Sequence, residues 1–236
     1  MKIRLHKSHE RGFADYGWLK ARYSFSFAEY FDPLRERFGV LRVLNDDIIA
    51  GGGGFNTHPH NNMEIITIPL SGALEHRDSM GHTMVIKEND VQYMSAGSGV
   101  EHAELNHSAT EPINLLQIWL FPQSRNTQPR YEQISLQHAD RHNKIQTIVS
   151  PEGGDQIITI HQQAWLSLLD SDESKSYTYE PHHAENGIFL FVIEGEIETG
   201  LHLLQERDSA EITGADVLKF TSKQKSRLLI IEVPQD

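Results

Sequence analysis

The sequence predicts an all-β protein built as two jelly-roll β-sandwiches in tandem. Three observations carry this. Short apolar runs alternate with clusters of Gly, Pro, Asn and Asp roughly every eight to twelve residues, and helical periodicity is almost absent. A segment repeats in shape, because Glu-Ile-Ile-Thr-Ile-Pro-Leu-Ser-Gly-Ala-Leu-Glu at 64–75 is matched by Gly-Ile-Phe-Leu-Phe-Val-Ile-Glu-Gly-Glu-Ile-Glu at 187–198. The chain of 236 residues is long enough for two small domains, and its 17 glycines fit a fold with many turns.

Taken in order, residues 1–35 open with Lys2, Arg4, Lys7 and Arg11. Tyr23, Phe25 and Phe27 then alternate with serines as a strand with one buried face would. Residues 40–50 predict another strand, and Gly51 to Gly54 let the chain turn tightly. No Lys-Ser/Thr follows these glycines, so they are not a phosphate loop. Met63 to Leu70 reads as an isoleucine-rich strand. Strands 74–78 and 83–87 flank a hairpin turn at Ser79-Met80-Gly81-His82, and strands at 91–95, 100–105 and 113–121 complete the first sandwich. The polar stretch 122–145 reads as the linker zone, giving domains at 1–135 and 136–236. A second alignment point, Asp90-Val91 on Asp216-Val217, places His102 on Leu228 and Glu104 on Ile230. The repeated glycines place His58 on Pro181 and His60 on His183. The second copy is therefore expected to keep the strands and lose three of four candidate ligands.

Composition removes several function classes. With no cysteine there are no disulfides, thiolate metal sites, iron–sulfur clusters or cysteine nucleophiles, so any metal is held by nitrogen and oxygen. The net charge is 21 − 33 = −12, and no stripe of Lys and Arg offers phosphate neutralisation, so direct nucleic-acid binding is not expected. The longest uninterrupted apolar run, Ile188 to Ile193, is too short to cross a bilayer, and no secretory signal is visible. The expectation is a cytoplasmic monomer.

Two residue pairs carry the chemistry: His58-Pro59-His60 and His102-Ala103-Glu104. Spacing of i, i+2 in an extended strand puts both side chains on one face, with Cβ atoms roughly 6.6 Å apart. Arms at that distance converge on one ion. Three imidazoles and a carboxylate suit a divalent first-row metal. Pro59 donates no ladder hydrogen bond, so His58 and His60 belong at a strand's start or edge. Glu64 has the same parity as the histidines and is the rival oxygen ligand. Single histidines are more often satisfied polar groups. His76 and His107 read as ordinary surface or supporting residues, His82 as solvated at its hairpin tip, His161 as strand-end packing, and His182 and His183 as at most a vestige.

Gly52-x5-His58-x-His60-x3-Glu64, followed by Gly72, resembles the first cupin motif, and Gly99-x2-His102-x3-Asn106 resembles the second. The departures are Gly97 where proline is usual and one extra residue before Gly72. The wording is closer still to the pirin family of bicupins, through Ala14-Asp15-Tyr16-Gly17-Trp18-Leu19, Arg42-Val43-Leu44-Asn45-Asp46-Asp47, Thr57-His58-Pro59-His60, Met94-Ser95-Ala96-Gly97 and Gln117-Ile118-Trp119. The resemblance implies that Glu104 is the oxygen ligand and that Glu64 supports a ligand histidine. It also implies quercetin 2,3-dioxygenase activity, with Fe(II) expected and Ni, Mn, Co, Cu or Zn acceptable to the same donors. In that reaction a flavonol's central ring is opened by dioxygen and carbon monoxide is lost, and Glu104 is the expected base for the flavonol proton. Parity nominates Phe55, Met63, Met94, Leu116 and Ile118 as the apolar lining. A second reading from the same resemblance is a metal-loaded regulatory module acting through a protein partner. Cupins also host other oxidations and isomerisations on one scaffold.

Overall fold

A computed structural model describes residues 1–235, in two β-sandwiches that each pair a seven-stranded with a four-stranded sheet. In the first, the large sheet runs Arg130–Ser135, Asp90–Ser95, Glu64–Ser71, Ile113–Leu120, Leu41–Ile49, Leu19–Tyr23 and Gly12–Asp15 from edge to edge. Its small sheet runs Gly54–His60, Val100–Asn106, Ala73–Asp78 and Thr83–Lys87. The second large sheet runs Lys2–His6, Ser209–Thr213, Gly187–Glu194, Ser226–Val233, Trp165–Ser171, Gln146–Ser150 and Ile158–Thr159. The second small sheet runs Ser176–Tyr179, Leu218–Ser222, Glu196–Thr199 and His202–Gln205. No helix among the described residues is long and apolar enough to cross a membrane.

Three expectations need correction. The first strand of the chain does not join its own half. Lys2–His6 pairs with Ser209–Thr213, anchored by His6 on Glu211 at 2.9 Å and Lys7 on Asp208 at 2.7 Å. The corresponding edge of the first sandwich is filled by Arg130–Ser135, which comes out of the expected linker zone and pairs with Asp90–Ser95. Both additions cover an edge that would otherwise expose unpaired N–H and C=O groups. The predicted strand through Tyr23, Phe25 and Phe27 ends at Tyr23. Beyond it the chain bends, and Phe25 packs on Phe189 of the other half at 5.5 Å while Phe27 turns into the first sandwich.

The repeat register also differs. The counterpart of Val100–Asn106 is Leu218–Ser222, because each pairs with the strand after the shared glycine. Leu105 faces Glu75 as Thr221 faces Glu198, and His102 faces His58 as Leu218 faces Tyr179. The positions of His58, His102 and Glu104 are thus held by Tyr179, Leu218 and Phe220, and that of His60 by Pro181. Asp216-Val217 precedes the strand rather than matching Asp90-Val91. The second sandwich has lost all four candidate ligands, not three.

The two large sheets stack back to back. Phe25, Leu44, Ile66, Ile68, Leu116 and Ile118 share one buried cluster with Phe189, Phe191, Leu229 and Ile231. Strands covered on both faces show no alternation, and Glu64–Ser71 is accordingly buried from Glu64 to Leu70. This stacking leaves the opposite face of the first large sheet to close the cavity under the histidines.

Candidate metal centre

The four candidate ligands come from two adjacent strands of the small sheet. Gly54–His60 is its edge strand, so Pro59 costs no ladder bond, as its chemistry requires. Its neighbour Val100–Asn106 places His102 directly across from His58. The register then shifts, and Glu104 lies opposite Phe55. Gly54, at φ +156°, permits this approach, since a Cβ there would meet the Glu104 carbonyl oxygen at 2.5 Å. Gly97 is explained in the same way, because its φ of +47° is closed to proline.

The three imidazoles face one another. Ring centroids are 4.8 Å apart for His58 and His60, 4.5 Å for His58 and His102, and 4.9 Å for His60 and His102. One ring nitrogen from each lies within 4.8 Å of the others. His58 donates Nδ1–H to the Asn56 carbonyl at 2.7 Å, which leaves its Nε2 as the lone-pair nitrogen. Nε2 of His60, Nε2 of His102 and Oε1 of Glu104 are buried with no partner in the protein. Buried polar atoms without partners are rare and costly. Three ring nitrogens gathered in this way, with the open Glu104 oxygen grouped beside His102, fit the donor set of a divalent cation. A second grouping within 4.8 Å joins His102 and Glu104 to His76.

Burial sets the protonation of these groups. It drives His60 down to about 4 and His102 down to about 2, with neighbouring imidazoles adding to the effect. It pushes Glu104 up to about 7, partly offset by a hydrogen bond from Gln117 at 2.6 Å. Trp119 Nε1–H points at Gln117 Oε1 at 3.4 Å and so turns the amide N–H₂ toward Glu104. Metal binding needs neutral imidazoles and an ionised carboxylate. His60 and His102 stay neutral through the mildly acidic range, so among these three buried groups the competing proton is the one on Glu104. The affinity is therefore expected to fall as the pH drops below 7, where Glu104 takes up its proton. Calorimetric titration of the metal between pH 8 and pH 5 checks this, and a flat profile would contradict Glu104 as a ligand.

Behind His102 lies a polar chain that sequence reading did not assemble. His76 is fully buried rather than on the surface. Its Nε2 donates to Asp78 Oδ2 at 3.1 Å, which leaves Nδ1 as the acceptor, shared between Gln92 Nε2–H at 3.4 Å and His102 Nδ1–H at 3.5 Å. The bond from His102 turns its Nε2 toward the other ligands. Burial alone would raise Asp78, but hydrogen bonds from His76 and from the backbone and ring of His82 hold its carboxyl low. His82 is partly exposed, stacked on Tyr131 at 4.8 Å and bonded to Asp78. Partners of this type orient metal-bound histidines, and their loss typically costs about 10–100-fold in metal affinity. Asp78→Asn is expected to weaken metal binding by that order while leaving one site per chain, as read by competition against a chelator.

Glu64 takes neither of its expected roles. Tyr93 and Ser95 donate to its two oxygens, and its neighbour Ile65 is the residue that faces the cavity. The turn at Asn61–Met63 breaks the alternation on which the parity argument depended. His107 is exposed beside Glu75. In the second sandwich, His182 and His183 close over the buried Glu232, which accepts from both their backbone N–H groups, from Tyr179 and from Asn186. Clusters of ligand type occur only in the first sandwich among the described residues.

The centre opens into a cavity of about 190 Å³ between the sheets of the first sandwich. Phe27, Phe55, Ile65 and Trp119 make its apolar wall, and Asn45, Asp47 and Gln117 make a polar one. Of the lining expected from parity, Phe55 is present. Leu116 and Ile118 face the other sandwich, and Met94 packs with Met63, Ile65 and Val100.

Residues 4–120 match the family model described as Pirin, and residues 147–233 match the model described as Quercetinase C-terminal cupin domain. The chain belongs to the pirin family. Among curated relatives, "Quercetin 2,3-dioxygenase" of Escherichia coli K12 is 37% identical over 235 residues, covering 98% of this chain and 99% of the relative. "Pirin-like protein" of Caulobacter vibrioides is 36% identical over 222 residues, covering 94% and 95%. A solved structure of the bacterial pirin YhhW from Escherichia coli in complex with nickel(II) superposes with a TM-score of 0.94 at 34% identity, covering all of both chains. The pirin bicupin fold, with a His/Glu site of metal-binding type in its first half, is therefore that of this chain.

Proposed function

We propose that this pirin is a metal-dependent dioxygenase that opens the central ring of a flavonol such as quercetin. The observation carrying this reading is the set of unpartnered donors, Nε2 of His60, Nε2 of His102 and Oε1 of Glu104, on residues that line a mainly apolar cavity. Relatives named for the same reaction, at identities above one third over nearly the whole chain, support it. His58, His60, His102 and Glu104 are the proposed ligands of one divalent transition metal per chain, with iron the expected ion.

A bound divalent ion would supply Lewis acidity toward the flavonol hydroxyl and a meeting point for substrate and dioxygen. The protein's residues do the rest. Phe27, Phe55 and Trp119 hold a flat aromatic ligand and exclude water. Glu104, with one carboxylate oxygen open toward the cavity, is placed to accept the hydroxyl proton. Gln117 holds the other oxygen of that carboxylate and keeps it aimed. At about 190 Å³ the cavity falls below the roughly 300–1,000 Å³ typical of sites that engulf a ligand, so the flavonol enters by one end.

The test is oxygen uptake together with loss of flavonol absorbance, in metal-loaded and metal-stripped protein. Uptake is expected in the loaded protein only. No uptake with any of a panel of flavonols would leave the family's other role, metal-dependent binding of a protein partner, as the better account.

A further inference from the structure

Asp46 and Asp47 are sequence neighbours with opposite fates. Asp46 points out of the first large sheet, toward the second sandwich, where Arg11 donates to it at 3.1 Å, Arg207 at 3.2 Å and Asn114 at 2.9 Å. Asp47, one residue on, turns to the other face and lines the cavity over the metal centre. It is 3% exposed, and its Oδ1 has no partner in the protein. Asn45, two residues back on the same face, also lines the cavity and leaves its Oδ1 without a partner. The strand that carries them is paired on both sides, so their backbone cannot move to find partners.

A carboxyl group buried without a hydrogen bond costs stability that neither packing nor the ligand set explains. Asp47 is no part of either ligand grouping. Burial, and then the nearby carboxylates of Asp46 and Glu104, push its own carboxyl well above the usual range. The open oxygen of an Asp carboxyl accepts a hydrogen bond, which suits a hydroxyl group. Gln117 is engaged with Glu104 and Trp119, and the aromatic and aliphatic walls cannot tell one flat ring system from another.

We infer that Asp47, with Asn45, binds a second hydroxyl of the substrate and so selects polyhydroxylated flavonols over the bare 3-hydroxyflavone skeleton. This rests on the proposed flavonol reading and names the feature of the substrate that is recognised. A site that hydrogen-bonds a hydroxyl discriminates against the analogue lacking it, because its own polar groups are then left unpaired.

The experiment is anaerobic calorimetry with metal-loaded protein, so that binding is read without turnover. The ligands are quercetin and 3-hydroxyflavone, and the proteins are wild type, Asp47→Ala and Asp47→Asn, each checked for unchanged metal content. Asp47→Ala is expected to weaken quercetin binding roughly tenfold and leave 3-hydroxyflavone unchanged. Asp47→Asn, which keeps an oxygen that accepts, is expected to retain most of the preference. If both ligands bind wild type and either weaken equally in Asp47→Ala or do not weaken at all, the Asp47 assignment is overturned while the flavonol reading stands. If neither ligand binds metal-loaded wild type, both are overturned.

Discussion

Replacing His102 by alanine is expected to leave the protein folded and without metal. His102 stands at the middle of the centre, 4.5 Å from the His58 ring and 4.9 Å from the His60 ring, and belongs to both groupings of candidate ligands. Loss of a direct ligand should exceed the roughly 10–100-fold cost of losing an outer partner. His58→Ala and His60→Ala should behave alike. His183→Ala should not change metal content, since the second sandwich holds Tyr179, Leu218 and Phe220 where the first holds ligands. Metal analysis of the purified variants reads the result. Two tightly held equivalents per chain in wild type would contradict a single centre.

The second large effect is expected at Glu104. Its carboxylate is fully buried, held at one oxygen by Gln117 and open at the other. Glu104→Gln keeps an oxygen that ligates weakly but supplies no base at neutral pH. It is therefore expected to retain more metal than Glu104→Ala and still lose about 10²–10⁴-fold in turnover. Rates are to be compared at equal metal occupancy. Near wild-type turnover in metal-loaded Glu104→Gln would remove Glu104 from proton transfer and leave it as a ligand alone.

The parts of this site that were legible in the sequence are those fixed by local geometry. Two i, i+2 pairs on neighbouring strands must present their side chains together, and the structure brings His58, His60 and His102 within one ligand sphere. What was not legible depends on which face of a strand turns inward. Ile113–Leu120 is buried on both faces, so its apolar residues do not alternate, and nothing in the pattern marks Gln117 and Trp119 as the inward pair. The same ambiguity hid Asn45 and Asp47. Glu64 was misplaced because a turn intervenes between it and His60, and alternation does not survive a turn. His76 could have been found by its place two residues before Asp78 on the strand after Gly72. Only the pairing of Glu104 with His76 and His102 with Asp78, however, shows that it backs His102. The crossing of Lys2–His6 to the second sandwich joins residues some two hundred positions apart, and no local pattern encodes that.

One measurement bears most directly on the central claim. In a sealed vessel, metal-loaded protein is given quercetin, and dioxygen consumed, carbon monoxide released and flavonol lost are followed together. Ring opening by a dioxygenase conserves atoms only if one dioxygen enters and one carbon monoxide leaves for each flavonol, so the account predicts equal amounts of all three. Oxygen consumption without carbon monoxide, or no consumption by fully loaded protein, would contradict it.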